Sequence, residues 1–195
     1  MYETVINAYA KSRDPDKSLG AKRILDRMLK SYRNGNMSAR PNAVSYSTLL
    51  NACAYTRGSV VERDKSFAIA KDCMREILNS SKRGDDIDKM NDLNNVVFGT
   101  FLLCCSTLIS PEQGGRKDRL IQAIFGECRD LGMVDPKVIL NVRRAASPDL
   151  LRSLMEGTNL ATGDASFDSI PYKWKANITK GGRLPSHTVH SKRVL

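Results

Sequence analysis

The stretch PNAVSYSTLLNACA, Pro41–Ala54, decides the fold. Its apolar residues Tyr46, Leu49, Leu50 and Cys53 stand at i, i+3, i+4 and i+7, which is one face of an α-helix. Two other segments align with it without a gap: YETVINAY, Tyr2–Tyr9, and FGTFLLCC, Phe98–Cys105. Each opens on an aromatic and carries a threonine two residues later, at Thr4, Thr48 and Thr100. Each repeats the stripe, as Tyr2/Val5/Ile6/Tyr9 and Phe98/Phe101/Leu102/Cys105. Small residues at Ala8, Ala52 and Cys104 leave room for a partner helix to approach.

A second helix is expected after each of these. Ala21/Ile24/Leu25/Met28 and Ile121/Ile124/Phe125/Cys128 show the same spacing. The middle copy reads Phe67/Ala70/Lys71/Met74, with Ile77 and Leu78 extending it and Lys71 positioned to snorkel. Asp14-Pro15 predicts the start of the first of them, as a cap followed by proline at the first helical position. The unit is therefore helix–turn–helix, three times over. One such pair has an apolar face with nothing to cover it, and stacking neighbours covers it. The aromatics are 44 and 52 residues apart, and the excess length falls in polar linkers at 31–40, 56–63 and 79–93.

Downstream the pattern changes. Asp135-Pro136 and Ser147-Pro148 predict two short helices, 136–146 and 148–156, with Gly157 as the stop. From Thr158 onward periodicity fades, so the tail is expected to be structureless apart from local docking around Tyr172 and Trp174. The organisation expected is all-α: about three repeats over 1–135, capping helices over 136–157, and a basic tail over 158–195.

Composition narrows the class. The chain has 195 residues, 41% of them hydrophobic and only 6% aromatic, so the core must come from aliphatic residues, Met, Cys and Ala. The apolar stretch 96–109 is shorter than the roughly 20 residues a membrane span needs. Cys53, Cys73, Cys104, Cys105 and Cys128 form no CxxC pair and read as buried reduced thiols, with a disulfide framework or a zinc site as the alternative. The formal charge is +10, with six basic residues and no acid after Pro171. Met1 falls within a helical pattern that no secretory or organellar leader precedes, which suggests a fragment or a true start upstream.

These motifs resemble the pentatricopeptide-repeat (PPR) family. PNAVSYSTLLNACA is similar to the junction and first helix of such a repeat; NVVFGTFL, Asn95–Leu102, and YETVINAY follow it, and Ala21–Met28 resembles the second helix. The segment Cys128–Met155, with RRAASPDLL, resembles the C-terminal end of algal members with long, insertion-bearing repeats. The resemblance implies an α-solenoid, a segment of a right-handed superhelix, that binds single-stranded RNA at one base per repeat. It implies no catalysis and no cofactor, a monomer, and a mitochondrial or chloroplast location.

The family's base readers are the residue after the first-helix aromatic and the last residue of the repeat. Carried over, they are Glu3 with Asn42, Ser47 with Asn94, and Gly99 with Asp135. Ser47 with Asn94 matches a productive combination, one that implies a purine and best of all adenine. Glu3 and Gly99 depart from the pattern: a carboxylate repels phosphate, and glycine has no side chain to read with. Asn42 and Asn94 also stand just before predicted helices, where Asn commonly caps.

Other functional readings are weaker. Asp85, Asp86 and Asp88 near Arg83 read as a solvated loop rather than a metal site. His187 and His190 lie in the tail without partners, and Gly114-Gly115 and Gly181-Gly182 read as turns. The basic tail offers phosphate contacts. Two alternatives to an RNA-binding module stay open: a helical scaffold for another protein, and a piece of a longer repeat protein.

Overall fold

The computed structural model describes residues 1–82, 93–156, 158 and 167–178. Their regular structure is entirely helical. The chain forms α1 (Tyr2–Lys11), α2 (Lys17–Arg33), α3 (Ala43–Ala54), α4 (Val60–Lys82), α5 (Asn95–Leu108), α6 (Gly114–Asp130), α7 (Pro136–Ala145), α8 (Pro148–Leu154) and the one-turn α9 (Tyr172–Lys175), with 3₁₀ turns at Met37–Ala39, Pro111–Gln113 and Phe167–Ser169. Arg83, Asp85, Asp86, Asp88, Gly157, Gly181-Gly182, His187 and His190 lie outside the described residues.

The apolar stripes read from sequence are the faces that pack, except that Val5 of the first stripe is 38% exposed. Ile6, Leu25, Met28, Leu49, Leu50, Cys53, Phe98, Phe101, Leu102, Ile121, Phe125 and Cys128 are all buried in one continuous core. α1 packs on α3, α3 on α5 and α5 on α7, so the first helix of each pair lies beside the next in chain order. Each second helix packs on the first helix of its own pair and then on that of the following pair: α2 on α1 and α3, α4 on α3 and α5, α6 on α5 and α7. Gly20 lets α1 and α2 close up, because a methyl group there would overlap the Tyr9 ring. Phe67 of α4 stacks on Phe101 of α5 at 6.4 Å. Lys71, the break in the α4 stripe, is half-buried and lays its ammonium over Phe67, 5.3 Å from the ring centre.

Three boundaries differ from the sequence reading. α2 starts at Lys17, two residues past Pro15, because the Asp14 carboxylate accepts from the Asp16 amide at 2.8 Å and closes a turn instead of capping a helix. α4 starts at Val60, inside the expected linker. A reciprocal cap sets that start: the Ser59 amide donates to Glu62 Oε2 at 2.6 Å and the Glu62 amide donates to Ser59 Oγ at 3.4 Å. Gly114 and Gly115 form the first turn of α6 rather than a reverse turn; amides in a first turn make no intrahelical bond, so glycine is tolerated there.

Asp135 and Ser147 cap α7 and α8 as their cap-plus-proline signals predict, accepting from the Val138 amide at 2.7 Å and the Leu150 amide at 3.3 Å. Part of the tail is also built. Trp174 is buried edge-on to Phe125, with ring centres 5.9 Å apart, and the Val134 amide donates to its carbonyl at 2.8 Å. The Asn177 amide donates at 2.8 Å to the carbonyl of Gly132, whose φ of +69° is a left-handed turn suited to glycine. Tyr172, by contrast, is 77% exposed.

Candidate nucleic-acid interface

The three residues that end the repeats are all helix caps. Asn42 Oδ1 accepts from the Val44 and Ser45 amides at 2.8 and 3.1 Å, and the Asn42 amide donates to Ser45 Oγ at 3.4 Å. Asn94 Oδ1 accepts from the Val97 amide at 3.0 Å, with the residue only 5% exposed. Asp135 accepts from Val138 through Oδ1 and from Asn95 Nδ2 through Oδ2, at 2.7 Å each. Their extended backbones and the four free amides that open every helix make this the favoured local arrangement.

The residues after the aromatics are also engaged. Glu3 is half-buried and accepts from Ser45 Oγ at 3.1 Å, so Ser45 joins Glu3 to the Asn42 cap. Ser47 is 8% exposed and donates to the Val44 carbonyl at 3.2 Å. No hydrogen bond joins Ser47 to Asn94 among the described residues. Gly99 is buried against α7, and its carbonyl accepts from Asn141 Nδ2 at 2.8 Å.

What the first helices leave open is a different stripe. On α3 it is Val44, Thr48, Asn51 and Tyr55, and on α5 it is Val96, Leu103 and Thr107, with Thr100 at the matching place but buried. On α1 the matching places hold Thr4, Asn7 and Lys11, and on α7 the exposed residues are Lys137, Leu140 and Arg144. Thr48 and Thr100 each donate their hydroxyl proton to the carbonyl four residues back, at 2.7 Å. Their oxygens therefore remain as acceptors. Thr48 is half-exposed, whereas Thr100 is covered to 8%. The amides of Asn7 and Asn51 have no partner among the described residues, so each can both donate and accept. The signal for this stripe was present in the sequence: it is the helical face turned away from Tyr46, Leu49, Leu50 and Cys53, and Thr4, Thr48 and Thr100 mark it.

Charged residues of both signs concentrate on the second helices. α3 and α5 carry no charged residue, α7 carries Lys137, Arg143 and Arg144 without an acid, and the one carboxylate of α1, Glu3, is bonded to Ser45. The other helix-borne acids up to Asp130 sit on α2, α4 and α6, beside more numerous lysines and arginines, whereas Asp14, Asp16, Glu112 and Asp135 lie outside those helices.

All five cysteines are free and buried. Burial raises their thiols, up to about 12 for Cys53 and Cys105, and well above the ordinary value for Cys104 and Cys128. They stay protonated at neutral pH and act as small apolar groups. Among the described residues no group of three His, Cys, Asp or Glu side chains is placed to hold a metal ion, and no helix is long and apolar enough to cross a membrane.

Comparison with known protein families, with curated proteins and with solved structures found no match.

Proposed function

We propose that the chain is a segment of a PPR-like α-solenoid that binds single-stranded RNA on the open face of α1, α3, α5 and α7, without catalysing a reaction. The observation that carries this reading is the charge pattern of that face. The helices α1, α3 and α5 present threonine and asparagine groups able to meet base edges, α7 adds Lys137 and Arg144, and the one carboxylate of these helices, Glu3, is half-buried and held by a hydrogen bond from Ser45. Such a surface, with one carboxylate against several lysines and arginines, meets a polyanion with little like-charge repulsion.

The readers in this proposal are Asn51 and Thr48, with Asn7 in the preceding unit. They stand one and four residues on from the family positions Glu3 and Ser47, further round the helix. Ser47 and Asn94 support the surface from beneath: one is bonded to its own helix, the other fixes where α5 begins. With one base per repeat, the chain spans three or four bases, and isolated affinity is weak.

The test is fluorescence anisotropy with short RNAs differing at one base, at two salt concentrations. Thr48→Ala with Asn51→Ala is expected to weaken binding about tenfold and to flatten base preference, since each lost base contact is worth roughly 1–3 kcal/mol. Three neutralised phosphates give a slope of log affinity against log salt near −2, at about −0.7 per phosphate. Equal affinity of the double variant, with indifference to base identity, would overturn the reading. The partly exposed apolar residues Val44, Val96 and Leu140 on the same face favour a protein partner as the second reading. Salt-independent capture of a protein partner by the wild type, lost in Val44→Ser, would establish it.

A further inference from the structure

A cavity of about 370 Å³ opens where α1 and α3 end and α2 begins. Its volume lies in the range of small-ligand sites, roughly 300–1,000 Å³. Lys11, Arg13, Lys17 and Arg57 line it, with Asp14 the one carboxylate and Tyr55 the one aromatic. Lys11 and Tyr55 are also the last residues of the open stripes on α1 and α3, so the cavity is continuous with that face.

Lys17 is the unusual member. It is 6% exposed, yet no carboxylate lies within ion-pair distance of it among the described residues. Its ammonium makes two long bonds, 3.5 Å each, to the carbonyls of Ala10 and Ser12. These cover the carbonyl end of α1, which would otherwise repel an anion. The third N–H is left for a ligand. Asp14 lies outside ion-pair distance of this ammonium and accepts from the Asp16 amide at 2.8 Å. Burial, and then the neighbouring Arg57, hold Lys17 below the ordinary lysine value; a bound anion reverses the second effect.

We propose that this cavity binds the phosphomonoester of a nucleotide, with Arg57, Arg13 and Lys17 around the phosphate and the base laid against Tyr55. Excess positive charge calls for a multiply charged anion. The volume and the aromatic wall call for a planar group attached to it, since aromatic side chains stack on bases of any identity. The same chemistry is offered by a free nucleotide and by the phosphorylated end of an RNA strand. This proposal does not depend on base reading by Thr48 and Asn51.

The test is isothermal titration calorimetry with AMP, adenosine and inorganic phosphate at low salt. AMP is expected to bind, with adenosine and phosphate each at least about tenfold weaker. Arg57→Gln, an exposed change, is expected to weaken AMP about tenfold with an unaltered circular dichroism spectrum. Lys17→Met, which keeps the buried stem, is expected to do the same, and Tyr55→Ala to weaken AMP but not phosphate. An RNA trinucleotide with a terminal phosphate, compared with one ending in hydroxyls, separates the sources: tighter binding of the first assigns the strand end, and equal binding with AMP retained assigns a free nucleotide. The proposal is overturned if adenosine matches AMP, if AMP does not bind, or if both Arg57→Gln and Arg13→Gln leave AMP affinity unchanged. Loss of base preference in the Thr48/Asn51 double variant with AMP binding intact supports this site and the RNA reading separately. AMP binding to a protein indifferent to RNA supports this site alone.

Discussion

Asn42, Asn94 and Asp135 occupy one position at three successive junctions, and each turns its side-chain oxygen onto backbone amides of the helix it precedes. The amide and carboxylate groups that suit a base edge equally suit a helix start, and the amides are always within reach. A cap of this kind is worth about 1 kcal/mol. Asn94 is the more demanding case, since it is buried and its removal leaves the Val97 amide unpaired away from water. Asn94→Ala is therefore expected to lower unfolding free energy by about 1–2 kcal/mol in urea titrations, and the exposed Asn42→Ala by about 1 kcal/mol or less. RNA affinity of both folded variants should stay within about twofold of wild type, well under the 1.4 kcal/mol that marks a tenfold change. A tenfold loss of RNA binding at unchanged stability would restore these residues as readers.

At the scale of an element, α5 shows how a sequence departure acquires a physical meaning. Gly99 lies inside the helix, where glycine costs about 0.5–1 kcal/mol relative to alanine. A Cβ there would sit 3.6 Å from Val138 Cγ2, an ordinary contact with α7. Gly99→Ala is expected to raise unfolding free energy by about 0.5–1 kcal/mol and to raise Tm; a lower Tm would show that α5 and α7 need the closer approach. The first helices were legible from sequence because each has a full apolar stripe, and α7 and α8 because proline directly follows a cap residue. The start of α4 was hidden by weaker signals, since the Ser59 and Glu62 cap lies among polar residues that read equally well as a loop. Trp174 was placed only as a docking residue because its partners, Phe125 and Val134, are distant in sequence. The site was legible only in part. The face and its threonines follow from the period, but which polar groups stay free of the backbone depends on carbonyls and amides that no pattern displays.

For the whole molecule, the buried thiols are expected to set the alkaline limit of the fold. Cys53, Cys73 and Cys104 come from α3, α4 and α5, and Cys105 and Cys128 add two more buried sulfurs. Cys104 donates to the Leu50 carbonyl and Cys128 to the Met133 carbonyl, each at 3.3 Å, so the protonated form is also the bonded one. All five are raised above the reference value of 9.0, with burial the first cause in each. A raised thiol contributes stability that is complete below the unfolded value and is lost as pH climbs towards the folded one, about 12 for Cys53 and Cys105. Above pH 9 the unfolded chain releases protons that the folded chain keeps, at a cost of about 1.4 kcal/mol per pH unit for each thiol. With five such groups shifted in the same direction, the fold is expected to lose stability steeply above pH 9. Lys17 acts in the opposite sense, because a lowered lysine gains stability as pH rises through its folded value, but it is one group against five. Circular dichroism under a reductant is expected to show a thermal midpoint steady up to about pH 9 and cooperative loss of helix between about pH 10 and 11. A midpoint unchanged to about pH 11 would mean that the thiols ionise in place, and hence that water reaches the contacts between first and second helices on which the stacking depends.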